Sequence, residues 1–345
     1  MIELRRVRKV ARVHDPRRND ELTELESEIR YDPLTGDSSR ICHFAFPPRE
    51  GPDLAALGTR TRAACPFCPG KVETVRPRYP RDVLPQGRLG RGEALLFPNL
   101  FPYDDVSAIV AMTHAHFVPM NALPASAVAD AFKLAREFII ALAPSLGARE
   151  AFGIVTWNYM PPAGASQVHP HLQVIVTDTP GNQLRRELAA ETRYLERHGR
   201  PYLDALLETE RAGERWLSEQ GGLAWRVPFC PVGMLGDAQA VFTGRATLAE
   251  CSDAEIDAFA VSLARLLAAY ARLGHWSFNL TLMPDGANER SGRHRLSARV
   301  LPRFYLHPHL YNSDVAYLQL LLNEKFAMVP PERHAAALRE VLANA

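Results

Sequence analysis

Residues 166–178, SQVHPHLQVIVTD, constrain the fold of this chain more than any other stretch. From His171 onward polar and apolar residues alternate, the period of a strand whose two faces meet different surroundings. His169, His171 and Gln173 then project to one face and Leu172, Val174 and Val176 to the other. Pro170, between the histidines, has no backbone N–H for a neighbouring strand, so it belongs at a strand entrance, a bulge or an edge. The histidines therefore stand where an active site can interrupt a sheet.

The flanking sequence says what kind of sheet. EALLFPNLFPY and the apolar run from Ser107 suit buried strands, and residues 126–146 space apolar side chains by three and four, as an amphipathic helix does. AFGIVTWNY and HLQVIVTDT follow as two more strands. Strand, helix, strand, strand predicts an antiparallel sheet with helices on one side. After a charged helical stretch from about Asn182 to Gln220 the pattern partly restarts. LAWRVPFCPV and AQAVFTGR read as strands, SDAEIDAFAVSLARLLAAYARL as a helix capped by Ser252 and Glu255, and WSFNLTLMP as a strand. At 345 residues the chain exceeds the about 100–200 residues usual for one domain. We expect an α+β protein divided as 1–220 and 221–345, two related halves if the echo is a duplication and an ordinary α+β alternation if it is not. The first 60 residues read as loop-rich around a turn at DPLTGD, where Pro33 and Gly36 set the backbone, and 61–104 as a wrapping segment without a core. The tail, SDVAYLQLLLNEKF and PPERHAAALREVLANA, reads as helical.

Charge excludes several classes of function. Forty basic and 39 acidic residues leave a net charge of +1, no general footprint for nucleic acid or an anionic membrane. No run of about 18–20 apolar residues predicts a membrane span. The basic N-terminal segment lacks the apolar core of a secretory signal, so a cytoplasmic protein is expected. Five cysteines, an odd number, argue against a disulfide framework.

Cys65 and Cys68 stand in CPFC, a spacing that lets two thiolates bind one metal from a tight turn. A redox dithiol would open a helix, whereas Pro66, Pro69 and Gly70 describe an irregular knuckle, so half a zinc site is the better reading. The other two ligands are expected among His114, His116, His169 and His171, with one histidine left free for chemistry.

These segments together resemble the galactose-1-phosphate uridylyltransferase family of the histidine-triad superfamily. The resemblance runs through DPLTG, CPFC, FPN near Asn99, THAH, the run from Asn158 to Gln173, and LLLNEKFAMVPPERHAAALRE, and so spans most of the chain. It implies two histidine-triad-like halves, zinc held by Cys65, Cys68, His116 and His169, a nucleophilic His171, and Gln173 at the reacting phosphoryl group. Asn99, Asn158 and Ser166 fall on the family's substrate-binding positions. The implied reaction moves a nucleoside monophosphate between a nucleotide sugar and a sugar phosphate through nucleotidyl-His171, as in galactose metabolism, in a protein that is commonly a homodimer. A phosphorylase or hydrolase resolving the same intermediate, or a zinc-stabilised nucleotide-binding protein without turnover, are the alternatives. Three departures are specific. Ser297 and Arg299 occupy the positions of two histidines of a second metal site, so that metal is not expected. Leu100 follows Asn99 where the family has Asp, which puts the choice of base in question. HPHLY at 307–311 ends in Tyr311 where the first motif has Gln, and reads as a structural or surface feature.

Overall fold

The computed structural model describes residues 2–42, 51–147, 149–307 and 312–344. It opens with a long antiparallel hairpin, β1 (Arg6–Asp15) and β2 (Glu21–Tyr31), where the sequence had suggested loops. Most of its side chains are exposed on both faces, so no apolar alternation announces it, and cross-strand charge pairs such as Arg12–Glu24 take the place of a core. The DPLTGD turn forms as expected. Asp32 Oδ1 accepts the N–H groups of Leu34 and Thr35, and Gly36 adopts a φ of 78°. Next, β3 (Ser38–Cys42) pairs antiparallel with β2 and parallel with β16 (Lys325–Ala327), completing a four-stranded sheet.

Residues 54–75 carry α1 (Leu54–Arg62), the CPFC knuckle and α2 (Val72–Val75). The strands that follow are β4 (Leu89–Arg91), β5 (Ala94–Pro98) and β6 (Val106–Ala111), then helix α3 (Ala125–Leu142), then β7 (Phe152–Tyr159) and β8 (His171–Thr177). After α4 (Asn182–His198) and α5 (Tyr202–Glu210) the series repeats: β9 (Trp216–Gln220), β10 (Leu223–Arg226), β11 (Ala238–Phe242), helix α6 (Asp253–Arg272), β12 (Phe278–Met283) and β13 (Ser297–Pro302). All ten strands join one sheet in the order β4-β5-β6-β8-β7-β12-β13-β11-β10-β9. Each half thus places its strands in the same relative order, first-second-third-fifth-fourth, and the two fourth strands meet at the centre with Asn158 opposite Asn279. The two halves are related, as the echo in the sequence suggested, within one continuous sheet.

Helices α3 and α6 pack against each other over one face of that sheet. Val110, Leu172, Val174, Trp157 and Phe278 from the strands and Phe132, Phe138 and Phe259 from the helices build the main core there. Ser252 and Glu255 form the expected capping box of α6. On the opposite face Cys65, Phe67 and Val72 pack on Phe97, Ile109 and Ala111, so residues 61–104 do contain a small core. It explains why β6 reads as continuously apolar: both of its faces are covered.

The helical expectation for 182–220 fails at its end. Gly199 terminates α4 in the left-handed conformation, and Trp216–Gln220 is the outermost strand of the second half, too polar to show alternation. The tail is helical only in part. A hairpin of β14 (Tyr305–His307) and β15 (Asn312–Ser313) leads to a single turn, α7 (Tyr317–Leu320), then to β16, and only α8 (Pro331–Ala343) is a full helix. His309 and Tyr311 lie outside the described residues. Among the described residues no helix is long and apolar enough to cross a membrane.

Candidate active site and metal centre

Four side chains from three separate stretches of the chain converge on one site. The ligand atoms of Cys65, Cys68, His116 and His169 all lie within 4.8 Å of one another. His169 Nδ1 is 3.7 Å from Cys65 Sγ and 3.8 Å from Cys68 Sγ, and His116 Nδ1 is 3.5 Å from Cys68 Sγ. A tetrahedral zinc with bonds of about 2.3 Å to sulfur and about 2.0–2.1 Å to nitrogen has sulfur–nitrogen edges near 3.5 Å, so the donor set fits such an ion in both type and spacing. The outer nitrogens are held as well. His169 Nε2 donates to the Thr113 carbonyl at 2.6 Å, and His116 Nε2 meets Thr61 Oγ1 at 2.9 Å. A carbonyl can only accept, so His169 turns an unprotonated Nδ1 toward the thiols. Burial drives His169 down to about 4 and the Cys65 thiol up to about 11. His114 is exposed and outside the group, with its backbone N–H bound to Glu93. Of the four candidate histidines, His116 and His169 are the two that join Cys65 and Cys68 in a cluster able to hold a metal ion.

His171 is 5% exposed and begins β8, with Pro170 just outside the strand. Its Nδ1 lies 2.7 Å from the His169 carbonyl oxygen, which fixes the proton on Nδ1 and leaves Nε2 bare. Burial lowers its basicity, so the ring is neutral near pH 7. Phe67, from between the two cysteines, packs against the ring at 5.1 Å between centroids. Gln173, half-buried, is two residues along on the same face, opposite Thr156 of β7 and Ile109 of β6. Continuing that register by two residues brings Asn158 opposite His171. Leu172, Val174 and Val176 are fully buried on the other face, as the alternation requires. Ser166 is exposed on the loop that enters β8, past a turn in which Met160 and Gly164 have φ of 70° and 83°. Asn99 stands apart, two strands from β8 and level with Ile175. Its N–H donates to the Ser107 carbonyl and its Oδ1 accepts from Phe101 N–H. The neighbouring Leu100 and Phe101 are exposed.

No protein-family model matches the sequence. A relative does: an uncharacterized protein of Archaeoglobus fulgidus is 31% identical over 319 residues, covering 91% of this chain and 92% of that one. The two proteins belong to one family. The fold is GalT-like. A GalT-like protein of Arabidopsis thaliana superposes with a TM-score of 0.70 at 16% identity, over 90% of this chain and 98% of that one. An ADP-glucose phosphorylase of Arabidopsis thaliana, solved with ADP-glucose bound, gives 0.70 at 16% identity over 91% and 99%. A uridylyltransferase gives 0.67 at 20% identity over 92% and 99%.

In this GalT-like fold the second half presents an equivalent face, and its chemistry differs. Arg299 pairs with fully buried Asp237 at 3.4 Å, and Arg226 donates to Gln239 at 2.7 Å and pairs with Glu210 at 3.4 Å. Ser297 is buried beside them on β13. Ion pairs thus fill the place where the resemblance would put a second metal. Two further residues lie at the junction of the halves and escaped the sequence reading. Asn279 of β12 donates through Nδ2 to Asn158 Oδ1 at 2.7 Å, and Arg303 donates to Asn279. The signal for Asn279 was present in the sequence, because Ser277, Asn279 and Thr281 alternate with Phe278, Leu280 and Leu282 just as the histidines alternate with their own apolar partners.

Proposed function

We propose that the protein is a nucleotidyltransferase that carries a nucleoside monophosphate on His171, taking it from a nucleoside diphosphate sugar and passing it to a second phosphorylated acceptor. The observation that carries this reading is the locked tautomer of His171: a neutral ring with Nδ1–H bound to a carbonyl and Nε2 bare, on a face shared with Gln173 and Asn158. Nε2 attacks the α-phosphorus, forming a P–N bond. The bond from that phosphorus to the bridging oxygen breaks, and a sugar phosphate leaves with the electron pair. In the second half-reaction a phosphate oxygen of the acceptor attacks the same phosphorus, the P–N bond breaks, and the neutral imidazole is restored. Gln173 and Asn158 carry amide N–H groups suited to the negative charge that builds on the phosphoryl oxygens, and Ser166, on the entering loop, is assigned to the phosphate. Asn99 is assigned to the nucleotide.

Cys65, Cys68, His116 and His169 would hold zinc. These four ligands would close the site around the ion, a structural centre that would fix His169, and so the carbonyl that orients His171. A sugar phosphate as acceptor gives a hexose-1-phosphate uridylyltransferase-like enzyme. Inorganic phosphate gives a phosphorylase, a reading supported by the ADP-glucose phosphorylase among the fold relatives.

Intact-mass spectrometry tests the proposal. Protein mixed with a nucleoside diphosphate sugar and no acceptor should gain one nucleotide in an acid-labile linkage, and His171→Ala should gain none. An unmodified wild type across uridine, adenosine and guanosine diphosphate sugars would leave a nucleotide-binding protein without turnover.

A further inference from the structure

Asn158 has two ways to face a phosphate, and only one of them helps. With its Nδ2 toward the site it offers two donors; with its Oδ1 toward the site it sets a lone pair against an anion. Which of these the protein adopts is decided on the neighbouring strand. Asn279 Nδ2 lies 2.7 Å from Asn158 Oδ1 and 2.9 Å from the Ala163 carbonyl oxygen. Asn279 Oδ1 receives an N–H of Arg303. A guanidinium has no acceptor, so Asn279 cannot turn over without setting its NH2 against Arg303 and its oxygen against two other oxygens. Arg303 is held in its turn by Asp314, whose buried Oδ1 accepts from Nε at 2.7 Å and lies 2.6 Å from a terminal guanidinium nitrogen. Donation therefore runs outward from Arg303, one way to Asp314 and the other through Asn279 to Asn158, and the second branch crosses from the second half of the sheet into the first.

We infer that Arg303 is a positioning residue for the transfer site, fixing the side-chain amide of Asn158 with its N–H groups toward the phosphate and, through the same Asn279 amide, tying down the Pro161–Ala163 turn that leads to Ser166. The inference rests on the proposed nucleotidyl transfer for its effect on rate, but the orientation of Asn158 is a property of the protein without substrate. Arg303 touches no reacting atom in this arrangement. Its guanidinium is spent on Asp314 and Asn279, and it acts through the amide it orients.

Two measurements decide it. In single-turnover nucleotidylation by the zinc-loaded protein, Arg303→Met should slow adduct formation about tenfold to hundredfold, part of what losing an oriented donor costs. Arg303→Lys should recover some of that rate, because it still donates to Asn279. In an Asn158→Ala background the Arg303→Met change should then cost less than about twofold, because two residues acting as one unit are not additive. Independent, multiplying losses would overturn the inference. The second measurement needs no activity. In protein labelled with 15N-asparagine, the side-chain amide pair that vanishes in Asn158→Asp identifies Asn158, and that pair should move in Arg303→Met. An unmoved pair overturns the relay even if the wild type transfers nucleotides, and a moved pair supports the relay even if no nucleotidyl adduct forms.

Discussion

The backbone carbonyl of His169 receives the Nδ1–H of His171 at 2.7 Å, while the ring of the same His169 turns its own Nδ1 toward Cys65 at 3.7 Å. One residue thus joins the metal group to the proposed nucleophile, by its side chain on one side and its peptide on the other.

Disturbing the thiols should therefore disturb the chemistry. Cys65→Ser is expected to bind less than a full equivalent of zinc, to melt at lower temperature and to lose more than about tenfold in transfer rate, the range seen when metal-site support is removed. Elemental analysis and calorimetry on the same preparation check this. Full zinc occupancy with unchanged stability would remove Cys65 from the centre.

His171→Ala and Gln173→Ala should separate nucleophile from stabiliser. Both are expected to keep zinc and fold. The first should lose adduct formation altogether, and the second should form the adduct about a hundredfold to a thousandfold more slowly, as loss of a preorganised donor does elsewhere. Rapid-quench kinetics with radiolabelled substrate distinguishes the two.

Base preference should be loose. Leu100, half exposed beside Asn99, offers no acceptor to a ribose hydroxyl or to a neighbouring side chain. Specificity constants for one sugar on uridine, adenosine and guanosine diphosphates are expected to fall within about a hundredfold. A uridine preference above roughly a thousandfold, the size that polar recognition gives, would mean that another polar group makes the contact.

Acid should weaken the tie between the N-terminal hairpin and the last helix. Burial alone would raise the Glu332 carboxyl, but the guanidiniums of Arg30, at 2.8 Å, and Arg215 outweigh it and hold Glu332 near 2. A carboxyl depressed in the folded state contributes stability that is fully present above its unfolded value of about 4.3 and is lost as pH falls toward 2. Glu332→Gln should cost about 1–3 kcal/mol at pH 7, and its deficit against the wild type should shrink steadily between pH 4.5 and pH 2. Urea unfolding across that interval measures it, and a deficit that does not change with pH would mean that the ion pair is not its source.

What the sequence disclosed was local. The strand at His171 and the helix opening at Ser252 carry their instructions within a few residues, as alternation in one case and a reciprocal cap in the other. The first hairpin does not: its side chains face water on both sides, so the pairing of Arg12 with Glu24 leaves no hydrophobic period to read. Polar β9 was hidden in the same way. The metal group was half legible, since Cys65 and Cys68 are neighbours, but the choice of His116 over His114 is made by the chain path after β6, which no spacing rule supplies. Arg303 and Asn279 reach Asn158 only because two central strands, 121 residues apart at that contact, lie side by side. That pairing is tertiary, and nothing near Asn158 in the sequence announces it.

The central pairing of β7 with β12 also limits how the molecule can be divided. Cutting the chain between the halves would strip β7 of its partner and expose a row of unpaired amides and carbonyls beside Asn158, an adhesive edge in the middle of what had been a closed surface. An isolated first half could satisfy that edge by binding a second copy of itself about the same axis, trading an intramolecular seam for a two-chain one. Light scattering on the separated fragment would then report a dimer where the intact seam needs no second chain.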